Sequence, residues 1–314
     1  MIRVGACGIC GTGLHIADGE FPPNPDPLVP GHEFAGEMVA VGDGAPGGLR
    51  VGDRVAVDPS LFCGYCTFCR SGRGYLCANR SATGDTVDGA FAQHAGVPAA
   101  NCYRAPEGMD EGEGALVEPL SCVVHGVRRI GVSAGERFLV VGVGAMALLL
   151  QQLLQQSWAR VTLVDRATEC RRIAAELRAY ATAADADLHG ERFDAAVDAT
   201  GAPPAIEAAF DALQRGGRLL ISGVATDDAR ISLSPLRVYN NEITVAGSMA
   251  VLNSVGAAAD RRGDVLATRP RSGMRGRRAA AARRPRASHR AAARHISDKP
   301  DQHCLRPGAG SRGV

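Results

Sequence analysis

The run Val140-Val141-Gly142-Val143-Gly144-Ala145-Met146-Ala147 constrains the fold of this chain more than any other stretch. It joins an apolar strand, Arg137–Val141, directly to a run of strong helix formers, Ala145–Gln156. In the pattern G-x-G-x-x-A the first glycine permits a tight turn, and the second lets another group approach the backbone. The helix that follows aims its N-terminus at whatever lies above the turn, and such an end attracts phosphate. Arg160–Val164 reads as the next strand, and Asp165 closes it, 21 residues after Gly144. A carboxylate there accepts hydrogen bonds from ribose hydroxyls and repels a 2′-phosphate. Gly142, Gly144, Ala147 and Asp165 therefore read as an NAD site. Arg166, next to Asp165, leaves NADP open, because a guanidinium pairs with phosphate. The plainer alternative is a glycine turn in an ordinary βαβ unit.

The alternation continues downstream. Residues 169–179 and 204–213 have helical character; residues 193–197, 217–221 and 242–246 read as strands. Strands alternating with helices imply a parallel sheet. Upstream the pattern changes. Short apolar runs at 37–41, 52–57 and 90–94 are broken by Gly, Pro and Asp, which predicts a β-rich region. The expected division is a β-rich domain over 1–122, a nucleotide-binding domain over 123–254 and a tail over 255–314. At 46% hydrophobic, the chain can supply two cores. It contains no run of 18 apolar residues, and residues 1–5 carry no apolar signal core. A membrane span is thus not expected, and the cytoplasm is the expected location.

Four of the ten cysteines crowd into Cys63-x2-Cys66-x2-Cys69-x7-Cys77. Such tight spacings let thiolates wrap one tetrahedral ion, and four thiolates leave no open position, so the predicted zinc is structural. In a cytosolic chain this spacing favours metal over disulfides. A buried or disulfide-bonded set is the alternative.

Gly31-His32-Glu33 follows the turn-rich run 21–30. Imidazole and carboxylate are both zinc ligands, yet neighbours in sequence reach one ion only if the backbone bends to make them converge. Cys10 upstream and Glu118 downstream complete a candidate set: Cys10, His32, Glu33 and Glu118. A zinc ion held with one position open would polarise an alcohol oxygen and lower its pKa, so that hydride can pass to a nicotinamide. Thr12 and His15 would then carry the proton to solvent, hydroxyl first and imidazole last. Plainer readings compete: a surface His-Glu pair, and Glu118 as an ordinary acid. Cys7, Cys102, Cys122 and Cys170 read as core or incidental, and His94 and His125 as structural.

These residues resemble the zinc-containing medium-chain alcohol/polyol dehydrogenases over residues 3 to about 254. Gly31-His32-Glu33-x2-Gly36-x5-Gly42-x2-Ala45 is similar to the family's zinc signature. Cys63, Cys66, Cys69 and Cys77 fall where its structural zinc ligands fall. Glu118-Pro119-Leu120-Ser121 resembles the branch that includes sorbitol and threonine dehydrogenases, where a glutamate binds the catalytic zinc directly or through water. Asp198-Ala199-Thr200-Gly201 and Ser232-Leu233-Ser234-Pro235 also look familial. The resemblance implies an α/β chain: a GroES-like β-barrel catalytic domain plus a Rossmann doubly wound parallel sheet, with the active site in the cleft. It implies further that residues 242–248 form a strand that pairs across a dimer.

Three departures stand out. Family members usually begin earlier, so the first barrel strands are expected to be missing. Gly13 stands where the family has Asp, whose carboxylate steadies a zinc-binding histidine; such a loss weakens a metal site by about 10- to 100-fold. Beyond residue 254 the family continues with a helix and strands returning to the barrel, whereas this chain turns arginine-rich.

Residues 255–314 hold 15 of the 35 basic and 4 of the 33 acidic residues, a net of +11 against −9 (20 basic, 29 acidic) for the rest. The chain has a single lysine, Lys299, and 34 arginines, as GC-rich coding produces. The tail is therefore read as a frameshifted gene end. A nucleic-acid arm is disfavoured, since the tail carries no aromatics and no fold motif. The expected function is zinc-dependent oxidation of a secondary alcohol or polyol to a ketone by hydride transfer to NAD. It would use one catalytic and one structural zinc, in a homo-oligomer (dimer or tetramer). The alternative is a degenerate, inactive member that retains zinc or nucleotide binding.

Overall fold

A computed structural model describes residues 1–19, 27–184, 190–249 and 255–256. The N-terminal strands are β1 (Ile2–Cys7), β2 (Phe34–Met38), β3 (Arg54–Val57), a short pair β4 (Ser60–Leu61) and β5 (Ser81–Ala82), β6 (His94–Ala95) and β7 (Cys102–Arg104). Five of them form an antiparallel sheet in the order β6-β1-β2-β3-β7. Among the described residues β6 and β7 are its edges. Ile2, Phe34, Met38, Val55 and Val57 share one core, while Ala56, between the last two, is buried in a second one on the other face. Helix α1 (Gly11–Ala17) follows β1, and α2 (Thr67–Arg70) lies in the cysteine loop.

Of the run expected as a strand at 90–94, His94 pairs with β1 together with Ala95, and the Gln93 carbonyl accepts from the Val4 amide. Gly89, Ala90 and Phe91 instead donate their amides to the carbonyls of Val29, Gly31 and Pro30. Their backbone is thus committed to the segment that carries His32.

Helix α3 (Glu111–Ala115) opens with a capping box from Asp110 and Glu113. Helix α4 (Val117–Ile130) passes unbroken through residues 122 and 123. It packs on both sides: its buried residues share one core with Ala56 and Met109 from the N-terminal half and with Phe138, Val140 and Leu220 from the C-terminal half.

The second sheet is parallel and six-stranded: β8 (Arg137–Val141), β9 (Arg160–Val164), β10 (Ala181–Ala183), β11 (Phe193–Asp198), β12 (Leu213–Ile221) and β13 (Thr244–Gly247). Helices α5 (Ala145–Gln156), α6 (Thr168–Glu176), α7 (Pro203–Asp211) and α8 (Pro235–Asn240) alternate with them. The strand order is β10-β9-β8-β11-β12-β13, so the winding reverses between β8 and β11. A crevice opens there at the carboxyl ends of the strands, where α/β sheets bind ligands. Successive residues of β8 serve opposite faces. Phe138 and Val140 pack with Leu150 and Leu154 of α5, while Leu139 and Val141 pack with Ile206 and Phe210 of α7. Each such buried side chain contributes about 1.5–3 kcal/mol, which is why the strand is continuously apolar.

β8, α5 and β9 begin and end where the sequence predicts. β10 has no counterpart in that reading, because Ala-Thr-Ala is too short and too small to make an apolar run. β12 starts four residues before the expected 217, with a register irregularity against β11. Of the segment 255–314, Val255 and Gly256 are described, and Val255 is fully buried in the shared core. The rest of the basic tail lies outside the described residues. Among the described residues no helix is long and apolar enough to cross a membrane.

Candidate metal and nucleotide site

Cys63, Cys66, Cys69 and Cys77 bring their sulfurs within 4.8 Å of one another. The Cys63–Cys69 and Cys66–Cys77 separations are both 3.9 Å. Four sulfurs about 2.3 Å from a tetrahedral zinc would lie about 3.8 Å apart, so the group has the size of the ion. Local backbone turns create it: the amides of Cys66, Cys69, Cys63 and Asn79 point at the sulfurs of Cys63, Cys66, Cys77 and Cys77, at 3.3–3.5 Å. These donors favour thiolate. Hydrogen bonds from Cys69 and Ala78 pull the Cys66 thiol down to about 6, while burial pushes Cys69 up to about 12. Without a cation the four thiols cannot all ionise. A divalent ion removes that conflict.

A second convergence arises from strand register. β1 pairs with β2 so that Cys7 faces Phe34, and the Gly8 amide donates to the Glu33 carbonyl at 2.7 Å. Cys10, just past the end of β1, therefore meets His32 and Glu33, just before the start of β2. The donor atoms of Cys10, His32 and Glu33 lie within 4.8 Å of one another. Gly31 makes the bend. Its φ is +104°, and a Cβ there would stand 2.9 Å from the Cys7 sulfur and 2.9 Å from the Phe91 amide nitrogen. Burial pushes the Cys10 thiol up to about 12, with help from the Glu33 charge; it also raises Glu33 and lowers His32. Each donor is thus driven toward its neutral form. Sulfur, nitrogen and oxygen donors gathered in a desolvated place suit zinc, whose charge would reverse those shifts.

Glu118, in the first turn of α4, does not join this three-donor group. It is buried, and its Oε1 accepts a hydrogen bond from the Cys122 thiol at 3.4 Å. Burial, then the Glu33 charge, pushes its carboxyl up to about 8. Thr12 lies beside the site, two residues past Cys10 in the first turn of α1. His15 is three residues on along α1, on the same face as Thr12. A Cβ on Gly13 would meet nothing within 4 Å, so no neighbour forbids a side chain there. His125, read as structural, packs edge-on against the Tyr75 ring, with its buried Nε2 lacking a hydrogen-bond partner among the described residues.

The glycine turn sits at the crevice. Gly142 has φ +91°, and a Cβ on it would stand 2.6 Å from Thr200 Cγ2. Gly144 caps α5, no side chain caps the helix, and its first turn holds no acid. The first-turn amides are therefore free to meet phosphate. Ala147 is fully buried in that turn. Asp165 is tied to the turn, Oδ2 accepting from the Val143 amide and Oδ1 from the Ala167 amide, each at 2.8 Å. The donor set and the open helix end fit a dinucleotide. Two parts had no role assigned from the sequence. Asp198 is buried and accepts from the Thr200 amide and hydroxyl, shaping the loop behind Gly142. Cys122 touches Glu118, at the i, i+4 spacing that alone could have flagged it.

Residues 1–107 match the alcohol dehydrogenase GroES-like domain, and residues 142–261 match the zinc-binding dehydrogenase family. The second match runs slightly past residue 254. The chain is 36% identical over 269 residues to D-arabinitol dehydrogenase 1 of Uromyces fabae, covering 81% of this chain and 76% of that protein. It is 35% identical over 264 residues to D-altritol 5-dehydrogenase of Agrobacterium fabrum (strain C58), covering 81% and 78%. Its fold is similar to that of a zinc-binding dehydrogenase from Sinorhizobium meliloti 1021 bound to NADP: TM-score 0.80, 33% identity, covering 84% of this chain and 81% of that one. With the GroES-like region, the parallel sheet and a likeness to relatives spanning most of their length, this chain belongs to the zinc-containing medium-chain alcohol/polyol dehydrogenase family.

Proposed function

We propose that the chain oxidises a secondary hydroxyl of a polyol to a ketone, with NAD as hydride acceptor. The observation that carries the reading is the convergence of Cys10, His32 and Glu33 donor atoms within 4.8 Å, one donor short of a closed tetrahedron. Zinc bound there supplies Lewis acidity toward an alcohol oxygen, and the nicotinamide accepts the hydride. The chain's own residues do the rest. Cys10, His32 and Glu33 hold the ion. Thr12, in the first turn of α1 just past Cys10, and His15 beyond it move the alcohol proton outward. The free amides at the start of α5 take the pyrophosphate, and Asp165 faces the adenosine ribose. The cysteine quartet is assigned the structural zinc.

Polyols are favoured because the relatives at 36% and 35% identity act on D-arabinitol and D-altritol. NAD is favoured by the Asp165 carboxylate, although the Sinorhizobium protein binds NADP. On this reading residues 1–122 are the catalytic domain and 123–254 the nucleotide domain, joined along α4. The exposed outer strand β13 is the natural edge for a second copy, making a homodimer or a larger assembly. The reading places the chain in the cytoplasm, where the quartet stays reduced.

The test is a dehydrogenase screen across pentitols and hexitols with NAD and NADP, beside metal analysis. About two zinc per chain and NADH formation on a polyol support the proposal. One zinc per chain, NADH binding and no turnover on any alcohol would refute it.

A further inference from the structure

We propose that Cys122 is a positioning residue for Glu118: its thiol holds the carboxylate away from Cys10, His32 and Glu33 and so keeps one coordination position open. The inference rests on the zinc site proposed above and adds a part that nothing in the family pattern assigns. Three observations carry it. First, Glu118 and Cys122 are one turn apart on α4, and the thiol donates to Glu118 Oε1 at 3.4 Å. Second, the three converging donors gather without Glu118, although its carboxylate is close enough to feel the Glu33 charge. Third, Cys122 also borders the nucleotide half. It lines a cavity of about 10 Å³ together with Met146 in the first turn of α5 and Ala199 and Ser222 beyond β11 and β12. That space is about one water molecule.

The thiol thus lies between the metal-site carboxylate and the loops that form the nucleotide crevice. Among the described residues Glu118 is the one hydrogen-bond partner recorded for its S–H. A thiol is a weak donor, so the hold is reversible in a way that a hydroxyl or amide hold is not. Buried carboxylates need a partner. Deprived of Cys122, Glu118 has a cation as its best alternative, and binding the metal as a fourth protein ligand would close the position that substrate needs.

The experiment measures zinc release from the full-length protein to the chelator 4-(2-pyridylazo)resorcinol. The catalytic-site phase is assigned as the one missing from Cys10→Ser. Cobalt(II) spectra of the same proteins report donor number. Removing an outer hydrogen-bond partner changes metal binding by about 10- to 100-fold. Cys122→Ala is expected to slow release in that phase about tenfold and to shift the cobalt bands toward four protein donors. Cys122→Ser, which keeps a donor, should release zinc within about threefold of wild type. In a Glu118→Ala background Cys122→Ala should add nothing, because a residue acting through another shows full coupling. Unchanged or faster release in Cys122→Ala, or the same slowing without Glu118, overturns the clamp while the proposed dehydrogenase stands. A wild-type protein that binds only the structural zinc overturns both.

Discussion

Replacing Gly31 with Ala tests whether one backbone bend holds the metal site together. At φ +104° an L-residue is strained by about 1–3 kcal/mol. The new methyl would also stand 2.9 Å from both the Cys7 sulfur and the Phe91 amide nitrogen, closer than any real Cβ contact. Neither neighbour can retreat cheaply. Cys7 sits on β1, opposite Phe34, and the Phe91 amide is bonded to the Pro30 carbonyl. Overpacking of this kind adds about 1–3 kcal/mol. The expected loss is about 2–6 kcal/mol, or a fall in Tm of roughly 5–20 °C. The displaced His32 should also weaken zinc binding by about tenfold or more. Gly44→Ala separates the two terms. Its φ is +74°, yet a Cβ there meets nothing within 4 Å, so only the conformational cost of about 1 kcal/mol applies. Thermal unfolding followed by circular dichroism, with zinc measured after dialysis, reads both effects. If Gly31→Ala melts together with Gly44→Ala and keeps its full zinc, the reasoning about this bend is wrong.

Other perturbations probe other parts. Cys66→Ser should cost about one equivalent of zinc per chain and leave NADH binding intact; metal analysis beside fluorescence titration decides it. Asp165→Ser removes the carboxylate that repels a 2′-phosphate and loses the bond from the Val143 amide. The ratio of kcat/KM for NAD to that for NADP should fall about tenfold, corresponding to about 1.4 kcal/mol, and an unchanged ratio would count against the assigned role. In the chelated protein Glu118, its carboxyl raised to about 8, binds a proton more readily folded than unfolded, so folding loses stability as pH climbs from about 4.5 to about 8. Glu118→Gln lacks that loss, and its stability relative to wild type, from urea melts across this window, should grow with pH; a flat difference contradicts it.

Much of the nucleotide half was legible in advance because its signals are local. Arg137–Val141 is apolar throughout since both of its faces are covered, and the glycines stand where a strand turns sharply into a helix. The cysteine quartet was equally readable, because four donors within one loop need no long-range pairing. Legibility failed where distance along the chain had to be closed by other means. The run at 90–94 has strand composition, yet three amides around it serve the Pro30–Gly31 bend, a tertiary demand invisible in its own residues. β10 exists because β9 offers an unpaired edge, not because Ala-Thr-Ala favours extension.

The metal site divides along the same line. Cys10 reaches His32 and Glu33 through a β ladder, and a ladder positions backbone to within a fraction of a residue because a slip of one would turn every side chain to the other face. Glu118 arrives on a helix, and a helix delivers a side chain only to a sector of space. The atom's final position is then chosen by its partners. Here the nearby choices are a thiol one turn away and the cluster of three donors across the gap. Sequence spacing could name Glu118 as a ligand candidate, because both choices are compatible with the same motif. Only the side-chain geometry distinguishes a carboxylate held by Cys122 from one that closes the site. On the proposed reading, the room left for substrate beside Cys10, His32 and Glu33 depends on the weak S–H donor of Cys122 as well as on the ligand motif.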